Sequence, residues 1–178
     1  MLQVLKEFSF INKVFNIGNN EWSKIAAIWL LRLFYRIAFV MAWTILMAMF
    51  VGEFGIASLP YLFVLNAVLT ILGTFVFSNL LMRFSKSRLF VLNTFISGFL
   101  ILCGGYLYKF NELFFFGFLI FTVSVFLVQI KIAINSYSEE LFTPLQSERV
   151  FPLLESSETL GGIIGGMIIF FFSPSIEV

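Results

Sequence analysis

Two arginines lie inside the first long apolar run of this sequence. Arg32 and Arg36 are four residues apart, a spacing that places both side chains on one face of a helix. A guanidinium at the centre of a bilayer costs roughly 2.5–3.5 kcal/mol, so intramembrane arginines usually face protein or water. Because guanidinium groups suit phosphate, the pair could line a path for an anionic solute. The alternative is that both long side chains extend to the inner membrane interface.

The length of helix that follows Arg36 bears on this choice. Residues 37–51 form an uncharged run of 15 residues. At the helical rise this run covers about 22 Å, which is less than the ~30 Å thickness of the hydrocarbon core. Arg36 is therefore predicted to lie about one turn inside the membrane.

Amides and hydroxyls interrupt the later apolar runs. Asn66 and Thr70 share one helix face, and Asn93 and Ser97 share another. Polar groups in hydrocarbon are most useful where they meet another helix or a cavity, so most of these would simply join helices by hydrogen bonds. The candidate residues for a solute path are Arg32, Arg36, Asn66, Thr70, Asn93 and Gln129.

A short basic loop separates the second and third apolar runs. Within Met82–Leu89 it holds three cations, Arg83, Lys86 and Arg88. Such a loop is an ordinary signal of membrane orientation. It could also act as a gating loop that pairs with acids elsewhere, such as Glu139 or Glu140.

Four charged residues precede or begin the last apolar run. Glu148 and Arg149 are candidate gating residues, and Glu155 and Glu158 follow them at the inner entrance of the predicted helix. Glu158 would also be favoured by the helix dipole. The alternative is ordinary solvated charge with local pairing.

The last apolar run contains two interleaved pairs of glycines. Gly161 and Gly165 form one pair, and Gly162 and Gly166 form the other. Small residues four apart allow the backbone of a neighbouring helix to come close. The pattern predicts tight helix packing, either with another helix of the same chain or across a homodimer.

Composition excludes many other kinds of chemistry. The chain has 178 residues, 60% hydrophobic and 12% charged, with no histidine and no aspartate. Histidine-based triads, histidine-ligated zinc sites and aspartate-rich calcium loops therefore lack their residues, and no phosphate-binding GxxxxGK[ST] run occurs. Cys103 is the single cysteine, and the net charge of +1 gives no footprint for nucleic acid. We expect no enzyme activity, cofactor, metal site or nucleic-acid partner.

The apolar runs predict an all-α, polytopic transmembrane helical bundle of about five spans. Residues 1–22 have apolar residues at helical spacing and are predicted to form an amphipathic segment on the inner leaflet. Residues 23–178 form the transmembrane domain. Within it, Pro144 and Pro152 are expected to break any continuous helix in a cytoplasmic segment, 133–156. The predicted spans are 25–51, 59–82, 89–108, 113–132 and 157–173.

The distribution of lysine and arginine predicts the orientation in the membrane. Cations concentrate before the first span and in alternate loops. Of the two intervening loops, one holds no lysine or arginine and the other holds only Lys109. Cytoplasmic loops carry the excess of these residues, so the N-terminus is expected in the cytoplasm. The expected location is the lipid bilayer of a bacterial inner membrane.

Three stretches resemble a known transporter family. The basic loop at Arg83, Lys86 and Arg88 resembles the basic end of the loop motif of the major facilitator superfamily. The run from Arg149 through Phe151–Pro152 to the glycines at 161–166 is similar to the ATP/ADP translocase-like branch of nucleotide transporters. Residues 54–67 are also similar to the first outer loop and second span of its bacterial members.

The resemblance implies a part of a transporter rather than a whole one. It covers the chain as the first five helices of a twelve-helix fold, a partial N-terminal half. It implies alternating access and exchange of nucleotides or other phosphate compounds. Because such transporters bind substrate between two rocking halves, the remaining helices would come from a longer chain or a partner chain. The rival hypothesis is a five-span structural or assembly protein that associates through its glycine-rich last helix.

Overall fold

Every regular element that the structure describes is a helix. The computed structural model describes residues 21–107, 109 and 112–172. The predicted inner-leaflet segment at 1–22 lies outside these residues except at its last two positions.

Within the described residues, five helices are long and apolar enough to cross a membrane. The fold class predicted from sequence, an all-α bundle with five spans, is therefore confirmed, and these are the helices of an integral membrane protein. In order, the elements are α1 (Trp22–Phe54), a 3₁₀ turn (Ile56–Ser58), α2 (Leu59–Leu81), α3 (Lys86–Leu107), α4 (Glu112–Phe121), a π-helical segment (Thr122–Leu127), α5 (Val128–Leu141) and α6 (Pro144–Phe172).

The first connection is set by a glycine and a proline. Gly55 ends α1 with a φ of 75°, a left-handed conformation that glycine adopts without strain. Its N–H still donates to the carbonyl of Val51 at 3.0 Å. Pro60 lies in the first turn of α2, where its missing N–H leaves no helical hydrogen bond unmade.

The fourth span is one continuous helical rod with a π-helical centre. The rod consists of α4, the π-helical segment and α5, and it continues to Leu141, beyond the predicted end at residue 132. A π-helix bonds each N–H five residues back, and such segments occur frequently at functional sites. The apolar composition of residues 113–132 gave no indication of this change of register.

The predicted helix break at Pro152 is wrong. Only Phe142 and Thr143 separate α5 from α6, which begins at Pro144 and runs through Pro152 without interruption. Pro144 fits the first helical position for the same reason as Pro60. Pro152 cannot donate to the carbonyl of Glu148, but the rest of this 29-residue helix retains its bonds and the close packing against α1.

The most extensive contact between helices joins α1 and α6. A Cβ atom added at Gly161 would lie 2.8 Å from the carbonyl oxygen of Leu33 and 2.8 Å from the Cβ of Arg36. One added at Gly165 would lie 3.2 Å from the carbonyl oxygen of Ile37. The first glycine pair therefore lets α6 approach the backbone of α1 directly.

A compact apolar core links α1 to the fourth span, whereas α2 and α3 are largely uncovered. Leu46 of α1, Leu62 of α2 and Val123 of the π-helical segment are completely buried. By contrast, Phe75 of α2 and Phe95 of α3 are exposed over 71% and 74% of their surface. Apolar side chains of this kind suit contact with lipid or with further transmembrane helices.

Candidate functional site

Arg32 is held inside the protein rather than extended toward the interface. It is 2% exposed, and its Nη1 lies 2.8 Å from Oε1 of Glu155 on α6. Its Nη2 donates to Oδ1 of Asn135 on α5, also at 2.8 Å. The centre of its guanidinium lies 5.9 Å from the ring centroid of Phe151. Arg32 thus joins α1 to both α5 and α6.

Arg36 lies one helical turn further into the bundle and has a different environment. Its aliphatic part packs under Gly161, and its guanidinium lies 5.7 Å from the ring centroid of Phe39. Its Nε is buried and has no hydrogen-bond partner among residues 21–107, 109 and 112–172. The Nε also lies 3.9 Å from the position that a Cβ at Gly162 would take. Arg36 is therefore packed at the α1–α6 contact without a carboxylate bound to it there.

A second ion pair lies across the same helices. Nζ of Lys131 on α5 is 2.8 Å from Oε2 of Glu158 on α6. The side chain of Glu158 is 13% exposed and that of Lys131 is 44% exposed. Tyr35 of α1 is close enough to Glu158 and Arg36 to interact with both charges, so Glu158 lies near the helix that carries the arginines.

These residues form a charged cluster with one cation in excess. We define the charged cluster as Arg32, Arg36, Lys131, Glu155 and Glu158. Glu155 is matched by Arg32 and Glu158 by Lys131, which leaves the charge of Arg36 without a matched carboxylate in the cluster. An uncompensated guanidinium that is partly withdrawn from water favours the approach of an anion.

The charged cluster lies far along the helices from the bundle end that carries Phe54 and Phe116. Arg36 is 18 residues before the end of α1 at Phe54, and Lys131 is 18 residues after the start of the fourth span at Leu113. Each separation corresponds to about 27 Å at 1.5 Å per residue, close to the ~30 Å hydrocarbon thickness. The two helix ends are neighbours, because the rings of Phe54 and Phe116 lie 6.2 Å apart. The cluster therefore lies nearly one hydrocarbon thickness along the helices from the ends at Phe54 and Phe116.

The other predicted path residues lie together in a neutral seam between α2 and the fourth span. Ser124 Oγ donates to Oδ1 of Asn66 at 2.7 Å, and Thr70 Oγ1 donates to the carbonyl of Ser124 at 3.3 Å. Gln129 Nε2 donates to Oγ1 of Thr74 at 3.0 Å. The α2 residues in these bonds are spaced by four and share one helix face.

The third helix completes this neutral seam. Asn93 of α3 is 6% exposed, and its Nδ2 donates to the carbonyl of Phe126 at 3.0 Å. Together with Thr70, it supplies side-chain donors to two carbonyls of the π-helical segment. Backbone groups in hydrocarbon must be satisfied within the protein, so these bonds support the irregular segment. We use the name neutral seam for Asn66, Thr70, Thr74, Asn93, Ser124 and Gln129.

The predicted path residues thus separate into two groups. Gln129 and Lys131 are two residues apart on α5, which turns their side chains by about 200° relative to one another. Gln129 contacts α2, and Lys131 contacts α6. The structure brings Arg32 and Arg36 together on one side of the fourth span and the amides and hydroxyls together on the other.

The predicted gating residues lie outside the charged cluster. Lys86 pairs with Glu140 at 3.0 Å, one of the two acids suggested from the sequence. Arg83 and Arg88 of the same loop region are exposed. These contacts connect the start of α3 to the end of α5.

The start of α6 is tied to the start of α1. Nη2 of Arg149 lies 3.0 Å from Oε1 of Glu21, and Nε2 of Gln146 donates to the same oxygen at 2.5 Å. Glu148 is exposed. Trp29 Nε1 adds a bond to Oγ of Ser156 at 3.1 Å further along the same contact.

Four residues of this site were not among the solute-path residues predicted from the sequence. Asn135 and Glu155 are the partners of Arg32, and Lys131 and Glu158 form the second ion pair. Their spacing contained a signal, because residues 131 and 135 share one helix face and residues 155 and 158 share another. Nothing in the spacing indicated that these faces oppose each other.

Comparisons with known proteins do not assign this chain to a family. No family model, no curated protein and no solved structure matches the chain. Within the described ranges, no group of three or more Cys, Asp or Glu side chains is placed to hold a metal ion.

Proposed function

We propose that this chain is the N-terminal part of a membrane transporter for a small anionic solute. The observation that carries the proposal is Arg36, a partly buried cation with no matched carboxylate in the charged cluster. The charged cluster would bind the solute at the inner edge of the membrane, with the N-terminus on the cytoplasmic side.

The chemistry of the charged cluster favours an anion with several oxygens. A guanidinium offers planar, directed donors that match phosphate, and Lys131 on the facing helix offers a second cation. Glu158 would exchange its bond with Lys131 for a looser arrangement when the anion arrives. The resemblance to nucleotide transporters narrows the proposed solute to a nucleotide or another phosphate compound.

The arrangement of helices supports a passage completed by further helices. The faces of α2 and α3 that carry Phe75 and Phe95 are apolar and uncovered. We propose that the remaining helices of the transporter, from a longer chain or a partner chain, pack against this bundle and move relative to it. Alternating access of that kind places substrate between two halves.

One observation favours the assembly hypothesis as a second candidate. Gly161 and Gly165 pack against α1, but a Cβ at Gly166 would have no atom of the described residues within 4 Å. Gly166 therefore leaves an open small-residue position on α6 that a second copy could use, whereas Gly162 lies beside Arg36. If the protein self-associates and Gly166→Leu abolishes that association, the result would support this candidate.

Direct binding of anions tests the transporter proposal. The 178-residue protein in lipid nanodiscs would be titrated with orthophosphate and with ADP by calorimetry. We expect Arg36→Gln to weaken binding by about 10-fold or more, since a hydrogen bond to a charged group contributes about 1.5–3 kcal/mol. Lys24→Gln is the matched control, because Lys24 is an exposed cation on the same helix.

Two results would contradict the proposal. One is that the wild-type protein binds neither anion. The other is that Arg36→Gln binds as tightly as wild type, because the excess cation would then have no part in recognition.

A further inference from the structure

The charged cluster has one positive charge in excess, which is too few for the solute class proposed above. Its three cations stand against two carboxylates, and each carboxylate is already paired with one of the cations. A phosphomonoester carries about 1.5–2 negative charges at pH 7. Binding of a phosphate dianion would therefore turn the excess positive charge of the cluster into an excess negative charge.

An excess negative charge is unfavourable at this position. Arg32 is 2% exposed, and the side chain of Glu158 is 13% exposed, so water is partly excluded from the cluster. Charges interact more strongly where water is excluded, and two anions held close together repel each other. Uptake of one proton by a carboxylate of the cluster would restore its charge balance.

The two carboxylates differ in how an arriving anion would affect them. Glu155 is 58% exposed, and its partner Arg32 is held in place by a further bond to Asn135 at 2.8 Å. The partner of Glu158 is Lys131, which is 44% exposed and can turn toward a solute. Loss of Lys131 to the anion would leave Glu158 as a poorly hydrated carboxylate without its cation. Glu158 is therefore the acid that the proton would neutralise.

Glu158 also lies beside the cation that attracts the anion. Glu158 and Gly162 are four residues apart and share one face of α6. A Cβ at Gly162 would lie 3.9 Å from Nε of Arg36, and Tyr35 interacts with the charges of both Glu158 and Arg36. An anion bound at Arg36 would thus be near the carboxylate of Glu158, and a proton on that carboxylate would relieve their repulsion.

The charged and titratable groups around Glu158 come from three helices. Within the described ranges they are Lys131 on α5, Arg32, Tyr35 and Arg36 on α1, and Glu155 on α6 itself. The phenol of Tyr35 is uncharged at neutral pH, and Glu155 retains Arg32 as its partner. Among these groups only Glu158 would lose its counter-ion to the solute.

We propose that binding of a phosphate dianion at the charged cluster is coupled to the uptake of one proton by Glu158, which releases Lys131 to the anion. The inference rests on the proposed function. The proton comes from water and bonds to a carboxylate oxygen of Glu158, and the only contact that breaks is the ion pair with Lys131. Three cations, the carboxylate of Glu155 and the dianion then balance to zero. The solute would therefore be bound together with a proton.

Calorimetry counts the protons directly. The 178-residue protein in nanodiscs would be titrated with methyl phosphate in two buffers that differ in their heat of ionisation. At about pH 8 this ligand is a full dianion, because the second pKa of a phosphomonoester is about 6. We expect uptake of about one proton per anion and a dissociation constant that rises about 10-fold per pH unit, since one proton enters with each anion.

A matched pair of substitutions identifies the acid. Glu158→Gln is neutral without a proton, so it should abolish the uptake and the pH dependence. At about pH 8 it should bind methyl phosphate at least 10-fold more tightly than wild type, because no carboxylate needs to be neutralised first. A damaged bundle would instead bind more weakly. Glu140→Gln removes the acid of a second glutamate–lysine pair, which lies outside the charged cluster, and should leave the uptake unchanged.

Infrared difference spectroscopy gives a second measurement that needs no substitution. A carboxylic acid band should appear when methyl phosphate is added to the wild-type protein, and it should be absent from Glu158→Gln. If Glu158→Gln does not fold, the presence or absence of the band in wild type still decides whether a carboxylate takes up the proton.

Three results would overturn the inference. They are binding to wild type without proton uptake, uptake that persists in Glu158→Gln, and binding to wild type without a new carboxylic acid band. Each of these leaves the anion site itself in place. If the wild-type protein binds neither methyl phosphate nor the anions named above, the proposed function fails and this inference fails with it.

Discussion

The two faces of the fourth span carry two different kinds of polar contact. Toward α1 and α6, Lys131 belongs to the charged cluster and Asn135 bonds to it. The two ion pairs of the cluster and the hydrogen bond from Arg32 to the amide of Asn135 each measure 2.8 Å. Toward α2 and α3, Ser124 and Gln129 join the neutral seam, in which no group is charged. One helical rod therefore connects both regions of an otherwise apolar chain.

Depth in the membrane explains the difference. Ser124 lies 11 residues after Leu113, about 16 Å along the rod and close to the bilayer centre, whereas Lys131 lies about 27 Å along it. Charges at the centre are the most expensive to bury, and neutral groups can satisfy a π-helical backbone there at less cost. The chain thus uses ions where water is close and amides and hydroxyls where it is not.

The largest effect is expected at the glycine contact on which the charged cluster depends. Gly161→Leu would place side-chain atoms against the carbonyl of Leu33 and force α6 away from α1. We expect a loss of more than about 3 kcal/mol in the free energy of unfolding, because the clash is with backbone. Reversible denaturation in mixed micelles would measure it. Gly166→Leu, at a position open within the described residues, should change stability little; equal losses would show that α1 does not need the glycine.

An asymmetric effect is expected within the first ion pair. The side chain of Arg32 is 3% exposed and that of Glu155 is 58% exposed. Glu155→Ala would leave a buried guanidinium without its counter-ion, whereas Arg32→Met would leave an exposed carboxylate and one amide acceptor, Oδ1 of Asn135, without its donor. We expect Glu155→Ala to cost about 2 kcal/mol, below the roughly 3–5 kcal/mol of a fully buried pair, and to cost more than Arg32→Met. The reverse order in unfolding experiments would show that Arg32 stabilises the bundle by packing alone.

A smaller effect is expected in the neutral seam. Ser124→Ala removes the hydroxyl that donates to Asn66, and interhelical hydrogen bonds in membranes contribute about 0.6 kcal/mol on average. Ser138→Ala is the matched control, because its hydroxyl donates only within α5, to the carbonyl of Ile134. A loss at Ser124 as large as that at Glu155 would remove the energetic distinction between the two regions.

The smallest effect is expected outside both regions. Lys86 and Glu140 form a pair whose side chains are 33% and 54% exposed. A double-mutant cycle with alanine at both positions should give a coupling of about 0.3 kcal/mol, and salt should reduce it. A coupling above about 1 kcal/mol would instead support a gating role for this loop.

The sequence was sufficient for the five-span bundle but not for the arrangement of its polar contacts. Hydropathy depends on composition along one helix, so the spans could be recognised from the sequence alone. The pairing of Arg32 with Glu155 depends on which faces of α1 and α6 meet, and spacing within a helix does not contain that information. The continuity of α6 through Pro152 was missed because packing against α1 outweighs the local loss of one hydrogen bond.

The π-helical segment shows the same limit. Thr122 and Ser124 introduce hydroxyls into an apolar run, but a hydroxyl in a transmembrane helix usually bonds to its own backbone. Thr122 does so, donating to the carbonyl of Phe118 at 2.7 Å. Thr70 and Asn93 donate to carbonyls of the altered register from other helices, and spacing within the fourth span contains no information about those contacts.

Access to position 36 from water tests the central claim most directly. In a Cys103→Ser background, single cysteines would be placed at position 36 and, as the control, at position 34, where Phe34 is 66% exposed on another face of α1. Both variants, reconstituted in nanodiscs, would be treated with a charged, membrane-impermeant thiol reagent. If Arg36 faces a polar passage, the cysteine at 36 should react at least ten-fold faster than the one at 34. Equal inertness at both positions would contradict the account.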